Sequence, residues 1–156
     1  MRVNTIFLIV IIIAVGVIGF NKKLRNIVVS AVRPYYIEHF GTQDEKLGLD
    51  IEKFYRIVEQ EDVEKLKEAI AEEEQENILA YFESLFADYD LKYNVVSRKS
   101  AKITRGKAVM NFELEILRVN GRPYRNRREK GVLTMKRGKD KWLFESFKVY
   151  TLSYLL

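Results

Sequence analysis

The sequence has no cysteine, a single histidine, two prolines and one tryptophan in 156 residues. Without cysteine there is no disulfide framework, zinc ribbon, thiol nucleophile or dithiol redox pair, although the compartment stays open. His39 has only Glu38 near it as a second ligand type, which removes most metal and imidazole-base chemistry, so neither a metal nor a cofactor is expected. Eight glycines and two prolines are too few for a collagen-like or low-complexity chain. A 47% hydrophobic and 31% charged composition is that of an ordinary globular protein. The length allows one domain with a little to spare. The formal net charge of +5 is the summary figure that invites nucleic acid as a partner.

One long uncharged run is present. Ile6 to Phe20 reads IFLIVIIIAVGVIGF and is followed at once by Asn21, Lys22, Lys23, Leu24 and Arg25. Counted from Val3, eighteen residues make about 27 Å of helix, close to the ~30 Å hydrocarbon layer that a transmembrane helix crosses. A cleaved export signal is the competing reading. Ala14-Val15-Gly16 lies inside the run, however, and no good cleavage site closes it, which favours an uncleaved anchor over residues 1–23. Lys22, Lys23, Arg25 and Arg33 flank the run on one side and Arg2 on the other. That balance favours a single-pass protein of the cell membrane with a cytoplasmic carboxy-terminal domain over an extracytoplasmic one. Residues 24–47 read as a juxtamembrane amphipathic connector, with Leu24, Ile27, Val28 and Ala31 at helical spacing and Tyr35 and Tyr36 after Pro34. Packing of this segment on the domain's own core fits the pattern equally well.

Residues 48–150 carry the folded domain. Ile51, Phe54, Tyr55 and Val58, then Val63, Leu66 and Ile70, then Ile78, Phe82, Leu85 and Tyr89 recur at steps of three or four, which predicts three short amphipathic helices. Asp50 and Asp62 are the expected caps of the first two, and the acidic run Glu72 to Glu76 separates or starts the third. After Asp90 the period becomes two: Leu91, Tyr93 and Val95, then Met110, Phe112, Leu114 and Ile116, alternate with polar residues. Turns are expected at Arg105-Gly106-Lys107, Asn120-Gly121 and Gly138-Lys139-Asp140. The predicted class is therefore α+β: one amino-terminal transmembrane helix, then about three helices packed on a curved antiparallel sheet of about four strands. Strict alternation in the last strand puts Leu143, Phe147 and Val149 on one face and Trp142, Phe144 and Tyr150 on the other. A cover for the second face is expected, from a second protomer, the connector or the apolar tail 151–156, and a homodimer through the sheet is the reading preferred.

The segments IEKFYRIVEQEDVEKLKEAI, FELEILRVNGRPYRNRREKGVLTMKR and GKDKWLFESFKV, in this order, resemble the nuclear transport factor 2-like superfamily over roughly Leu49 to Val149. The resemblance implies helices wrapped in a strongly curved sheet that forms a cone. That superfamily includes ketosteroid isomerase-like and polyketide cyclase-like enzymes, non-enzymatic ligand-binding and transport adaptors, and the single-pass scaffold subunit of type IV secretion machines. The last is similar to this chain in domain order as well. No active site carries over, because such enzymes place Asp, Tyr or His inside the cone and this domain has no histidine after Gly41. Alternation points Tyr93, Met110, Phe112, Leu114, Ile116 and Leu133 inward. Tyr55 and Tyr93 are candidate pocket donors, and Glu145, sharing parity with Leu143 and Phe147, is a candidate pocket carboxylate, with a solvated rim position the simpler outcome for each.

Charge is segregated along the domain. Residues 44–90 sum to −11 and residues 91–156 to +12. Arg118, Arg122, Arg125, Arg127, Arg128 and Lys130 form the densest basic cluster, with Tyr124 among them. A solvated sheet face that pairs with the acidic helices of its own domain or of a partner protomer is the first reading. An acidic partner protein or anionic lipid headgroups come second. Nucleic acid comes last, since one interleaved tyrosine makes a thin stacking platform. The expectation is a membrane-anchored, non-enzymatic interaction module, a dimeric scaffold or accessory subunit of a membrane or envelope complex. The alternative is a small enzyme or apolar-ligand binder that uses the cone pocket; an open pocket with at least two convergent polar groups would mark it.

Overall fold

The computed structural model describes residues 22–99 and 102–155, and the chain divides into two compact units between Gly41 and Thr42. The expected membrane run, and the side chains of Lys22, Lys23 and Arg25, lie outside the described residues. The first unit contributes helix α1, Lys22–Phe40, which includes Arg33 and carries Pro34 in its interior. His39 stacks on Tyr35 at 4.2 Å between ring centroids, and its Nδ1 lies 2.9 Å from the Tyr35 carbonyl oxygen one turn back. Among the described residues no helix is long and apolar enough to cross a membrane.

The second unit runs from Thr42 to Leu156. Helices α2 (Gln43–Glu59), α3 (Val63–Ala69) and α4 (Gln75–Phe86) come first, with a 3-10 turn at Glu72–Glu74. Strands β1 (Tyr89–Arg98), β2 (Lys102–Ile103), β3 (Lys107–Gly121), β4 (Arg127–Arg137) and β5 (Trp142–Tyr154) follow. The sheet has the order β1-β3-β4-β5, all neighbours antiparallel, and β2 pairs with β3 beside β1. The α+β class stands, with five strands rather than about four, because two residues are too short to display a period.

The first helix of this unit starts earlier than expected. Thr42 is its cap: its hydroxyl accepts from the Glu45 N–H at 3.2 Å while Glu45 Oε2 accepts from the Thr42 N–H at 2.8 Å, a reciprocal capping box. Asp50 therefore sits inside the helix and instead accepts from the Trp142 N–H at 2.8 Å, fastening α2 to the start of β5. Asp62 does cap α3, through the Lys65 N–H at 3.1 Å. The three apolar stripes meet the sheet's concave side: Phe54 stacks on Phe144 at 4.3 Å, and Tyr55 packs against both Phe112 and Tyr93. The residues expected to point inward, from Tyr93 to Leu133, are all buried.

Two irregularities bend the sheet and overturn the expected two-faced last strand. Phe144 pairs with Met135 and Ser146 with Thr134, leaving Glu145 as an extra residue; Val149 pairs with Gly131 and Thr151 with Lys130, leaving Tyr150 as another. Each bulge shifts the alternation by one. Trp142, Phe144, Phe147 and Val149 consequently share the concave face with Met135 and Leu133, while Leu143, Ser146, Lys148, Thr151 and Ser153 take the convex one. With the large rings gathered on one face, the reason for expecting a second protomer over the other does not hold. The strand also continues through Tyr154, so the segment after 150 is sheet rather than a free tail.

The turns at Arg105-Gly106-Lys107 and Gly138-Lys139-Asp140 form, closed by Thr104 N–H to Lys107 O at 2.8 Å and Gly138 N–H to Lys141 O at 2.9 Å. Asn120 and Gly121 are not the hairpin turn: they pair with Asp90 and Tyr89, and the reversal falls at Arg122 to Asn126. Gly121 has φ +82° and lets the Arg122 N–H reach the Asp88 carbonyl at 2.9 Å, which holds the strand in the sheet past the Asn-Gly pair.

Candidate functional site

Because β3, β4 and β5 curve over α4, the concave face leaves a cavity of about 410 Å³. Its walls are apolar, built by Ile78 and Phe82 of α4, Leu114 and Ile116 of β3, and Phe147 and Val149 of β5. Tyr55 and Tyr93, the two candidate donors, also line it. Glu145 lines it as well, but as the extra residue of a bulge, with its carboxylate 2.7 Å from Lys107 Nζ.

A further polar group at the cavity wall was not among the candidates. Glu129 pairs in register with Leu114 and faces the concave side, and it is the one buried charged residue among those described. Arg127, two residues earlier on the same face, places Nε 2.7 Å from Glu129 Oε1, off the line of the N–H, so the contact is an ion pair rather than an aligned hydrogen bond. The guanidinium carbon lies 5.1 Å over the Tyr124 ring, and its charge partly offsets the burial that raises the Tyr81 hydroxyl. Burial opposes the Arg127 charge, but Glu129 and the surrounding tyrosines more than restore it, so its pKa is raised.

Burial, reinforced by the neighbouring carboxylate and hydroxyls, sets the protonation of the tyrosines. Desolvation lifts Tyr55 well above the ordinary phenol value and raises Tyr93 and Tyr81 also, with Glu129 acting in the same sense on each. Tyr124 is pushed up to about 12, mainly by burial, and its hydroxyl is enclosed without a protein partner. At neutral pH these groups are hydrogen-bond donors and not bases. No cluster of three or more His, Cys, Asp or Glu that could hold a metal ion exists among the described residues. The arrangement suits a molecule with an apolar body and a hydrogen-bonding head.

The basic cluster does not form one surface. Arg127 lies on the concave face and pairs with Glu129, whereas Arg128 reaches across the convex face to Glu113 and Glu115, and Lys130 to Glu113. Arg122 pairs with Asp88 at 2.8 Å, and Arg125 lies over the Tyr154 ring at 4.1 Å. Several partners are therefore acidic residues on adjacent strands, where the sequence totals pointed to the helices.

A conical sheet closed on helices around an apolar cavity is the nuclear transport factor 2-like fold. Within that class, the chain belongs to the family of the anti-sigma-I factor RsgI9 C-terminal domain, whose profile matches residues 51–155. Solved structures agree on the fold. A protein of the nuclear transport factor 2-like family from Streptomyces avermitilis superposes with a TM-score of 0.59 at 17% identity, covering 72% of this chain and 96% of that one. A conserved protein from Planctomyces limnophilus gives 0.54 at 10% identity, covering 67% and 94%. A Mycobacterium tuberculosis protein gives 0.51 at 13% identity, covering 72% and 98%. No curated protein sequence matches the chain.

Proposed function

We propose that the chain is a membrane-anchored regulatory protein whose cone domain binds a small amphipathic molecule and acts by contact with other proteins, without catalysis of its own. The observation that carries this reading is the apolar cavity of about 410 Å³ with Glu129, Tyr81 and Tyr93 on its wall, and with Arg127 ion-paired to Glu129. That is an open pocket with more than two convergent polar groups, the feature set against a filled scaffold. Membership in a family named for an anti-sigma factor supports a regulatory role and a protein partner. The uncharged run from Ile6 to Phe20 and the basic residues after it support a single-pass anchor with the domain on the cytoplasmic side.

The test uses the full chain in detergent. Native mass spectrometry and thermal shift against medium-chain alcohols and amines are expected to show saturable, stabilising binding. Ile78→Trp, which fills the cavity from α4, is expected to abolish it while the chain stays folded. Binding unchanged in Ile78→Trp, or no stabilisation by any amphiphile, would count against the reading.

A further inference from the structure

The tip of the β3–β4 hairpin is chemically unlike the rest of the sheet. Arg118, Pro123, Arg125 and Leu155 line one hollow there. Asn126 holds the hollow in shape: its Oδ1 accepts from the Arg118 N–H at 2.7 Å and its carbonyl from the Leu155 N–H at 2.9 Å. Whereas Arg127 is paired with Glu129 of its own strand and Arg128 and Lys130 with glutamates of the neighbouring strand, Arg118 and Arg125 have no carboxylate partner among the described residues, and Arg122 shares Asp88 while remaining mostly exposed. Apolar and aromatic side chains accompany these arginines: Val119 is 62% and Tyr154 52% exposed, with the Arg125 guanidinium carbon 4.1 Å over the Tyr154 ring.

Uncompensated arginines interleaved with exposed valine, proline and tyrosine match the headgroup layer of an anionic bilayer. There the guanidinium takes phosphate oxygens, its stem and the apolar neighbours reach the acyl boundary, and tyrosine sits at the interface. We propose that the tip formed by Arg118, Val119, Arg122, Arg125 and Tyr154 docks on the surface of an anionic membrane. The inference rests on the anchor proposed above, which would keep the domain near a bilayer and make even a weak surface contact effective. Anionic lipid is favoured over an acidic protein because apolar groups are spread through the basic patch instead of being gathered in a separate groove.

The chain has no cysteine, so Val119→Cys supplies a unique site for an environment-sensitive fluorophore on the full-length protein. In nanodiscs of phosphatidylcholine mixed with phosphatidylglycerol, the label is expected to shift to the blue and to be quenched by nitroxide-bearing lipid; in phosphatidylcholine alone it is not. Each basic residue near such a surface contributes about fivefold to the docked-to-free ratio, so Arg118→Gln with Arg125→Gln lowers it roughly 30-fold, and high salt does the same. A label that stays unquenched in anionic discs overturns the docking, as does quenching indifferent to the two arginines, and an acidic protein that alone shields the label would take the bilayer's place. Release of the chain from the disc by alkaline carbonate overturns the anchor, and this inference with it, so the two failures are read separately.

Discussion

A Cβ at position 131 would lie 2.3 Å from the Lys148 carbonyl oxygen and 2.7 Å from the Phe147 ring. This close approach of β5 to β4 lies between the two bulges and forms part of the wrapped sheet. The obstacle is backbone, which cannot swing aside as a side-chain end can. Gly131→Ala is expected to destabilise the protein by about 2–3 kcal/mol through forced displacement of β5. Urea unfolding checks this; a change within the scatter of surface substitutions would mean the sheet relaxes freely there.

Arg127 and Glu129 stabilise one another at the cavity wall. Arg127→Met leaves a buried carboxylate without its partner and is expected to cost about 2–3 kcal/mol, below the full range for a buried pair because the guanidinium keeps some access to water. Replacing Glu129 with Met as well should recover much of that loss. A double-mutant cycle in chemical denaturation measures the coupling, and simple additivity would show the two side chains to be independent.

Asp50 and Asp62 respond oppositely to pH. Burial raises the Asp50 carboxyl above its usual range despite the Trp142 N–H that it accepts, so the folded state holds this proton more tightly and the associated stability is lost as pH rises through the raised value. Asp62, lowered first by its hydrogen bond to the Lys65 side chain, contributes stability that is present above the carboxylate range and lost as pH falls. Asp50→Asn keeps an acceptor for the Trp142 N–H. It is expected to raise stability at pH 7 and to do little near about pH 3. Equal effects at both pH values in thermal melts would remove burial as the cause.

The buried tyrosines predict sensitivity to alkali. A phenol raised above its ordinary value in the folded state contributes stability that is complete below the unfolded value and lost as pH climbs past it. Absorbance titration should therefore show Tyr55, Tyr93 and Tyr124 ionising only with unfolding. Tyr93→Phe should move the alkaline transition upward. Reversible titration of all nine tyrosines near pH 10, with the fold intact, is the contrary result.

Much of the fold was legible because periodicity reports local geometry. The stripe Ile51, Phe54, Tyr55 and Val58 and the alternation Met110 to Ile116 each mark a single element's buried side, and each lies where expected. What alternation alone did not reveal was an inserted residue: Glu145 and Tyr150 fit the period-two pattern unbulged as well as bulged, and only pairing with β4 distinguishes the two. The site was half legible. Tyr55 and Tyr93 follow from their stripes, and Glu129 was available from its parity with Leu133 and Met135, but its charge placed it among the solvated residues of a basic hairpin. The partner that makes its burial tolerable, Arg127, had been grouped with the surface arginines for the same reason.

The last strand also bears on how the sheet resists adding further strands at its edge. β5 ends the sheet order, so its outer edge offers backbone groups to which any extended chain could add. That edge is obstructed along its length. Ile70 bridges to Phe144, and the Ala71 N–H takes the Phe144 carbonyl at 2.9 Å, closing the start. Beyond it the kinks at Glu145 and Tyr150 break the even spacing that a neighbouring strand would need, and Lys148 stands between them. The irregularities that hollow out the cavity thus also guard the sheet against fibrous, edge-to-edge growth.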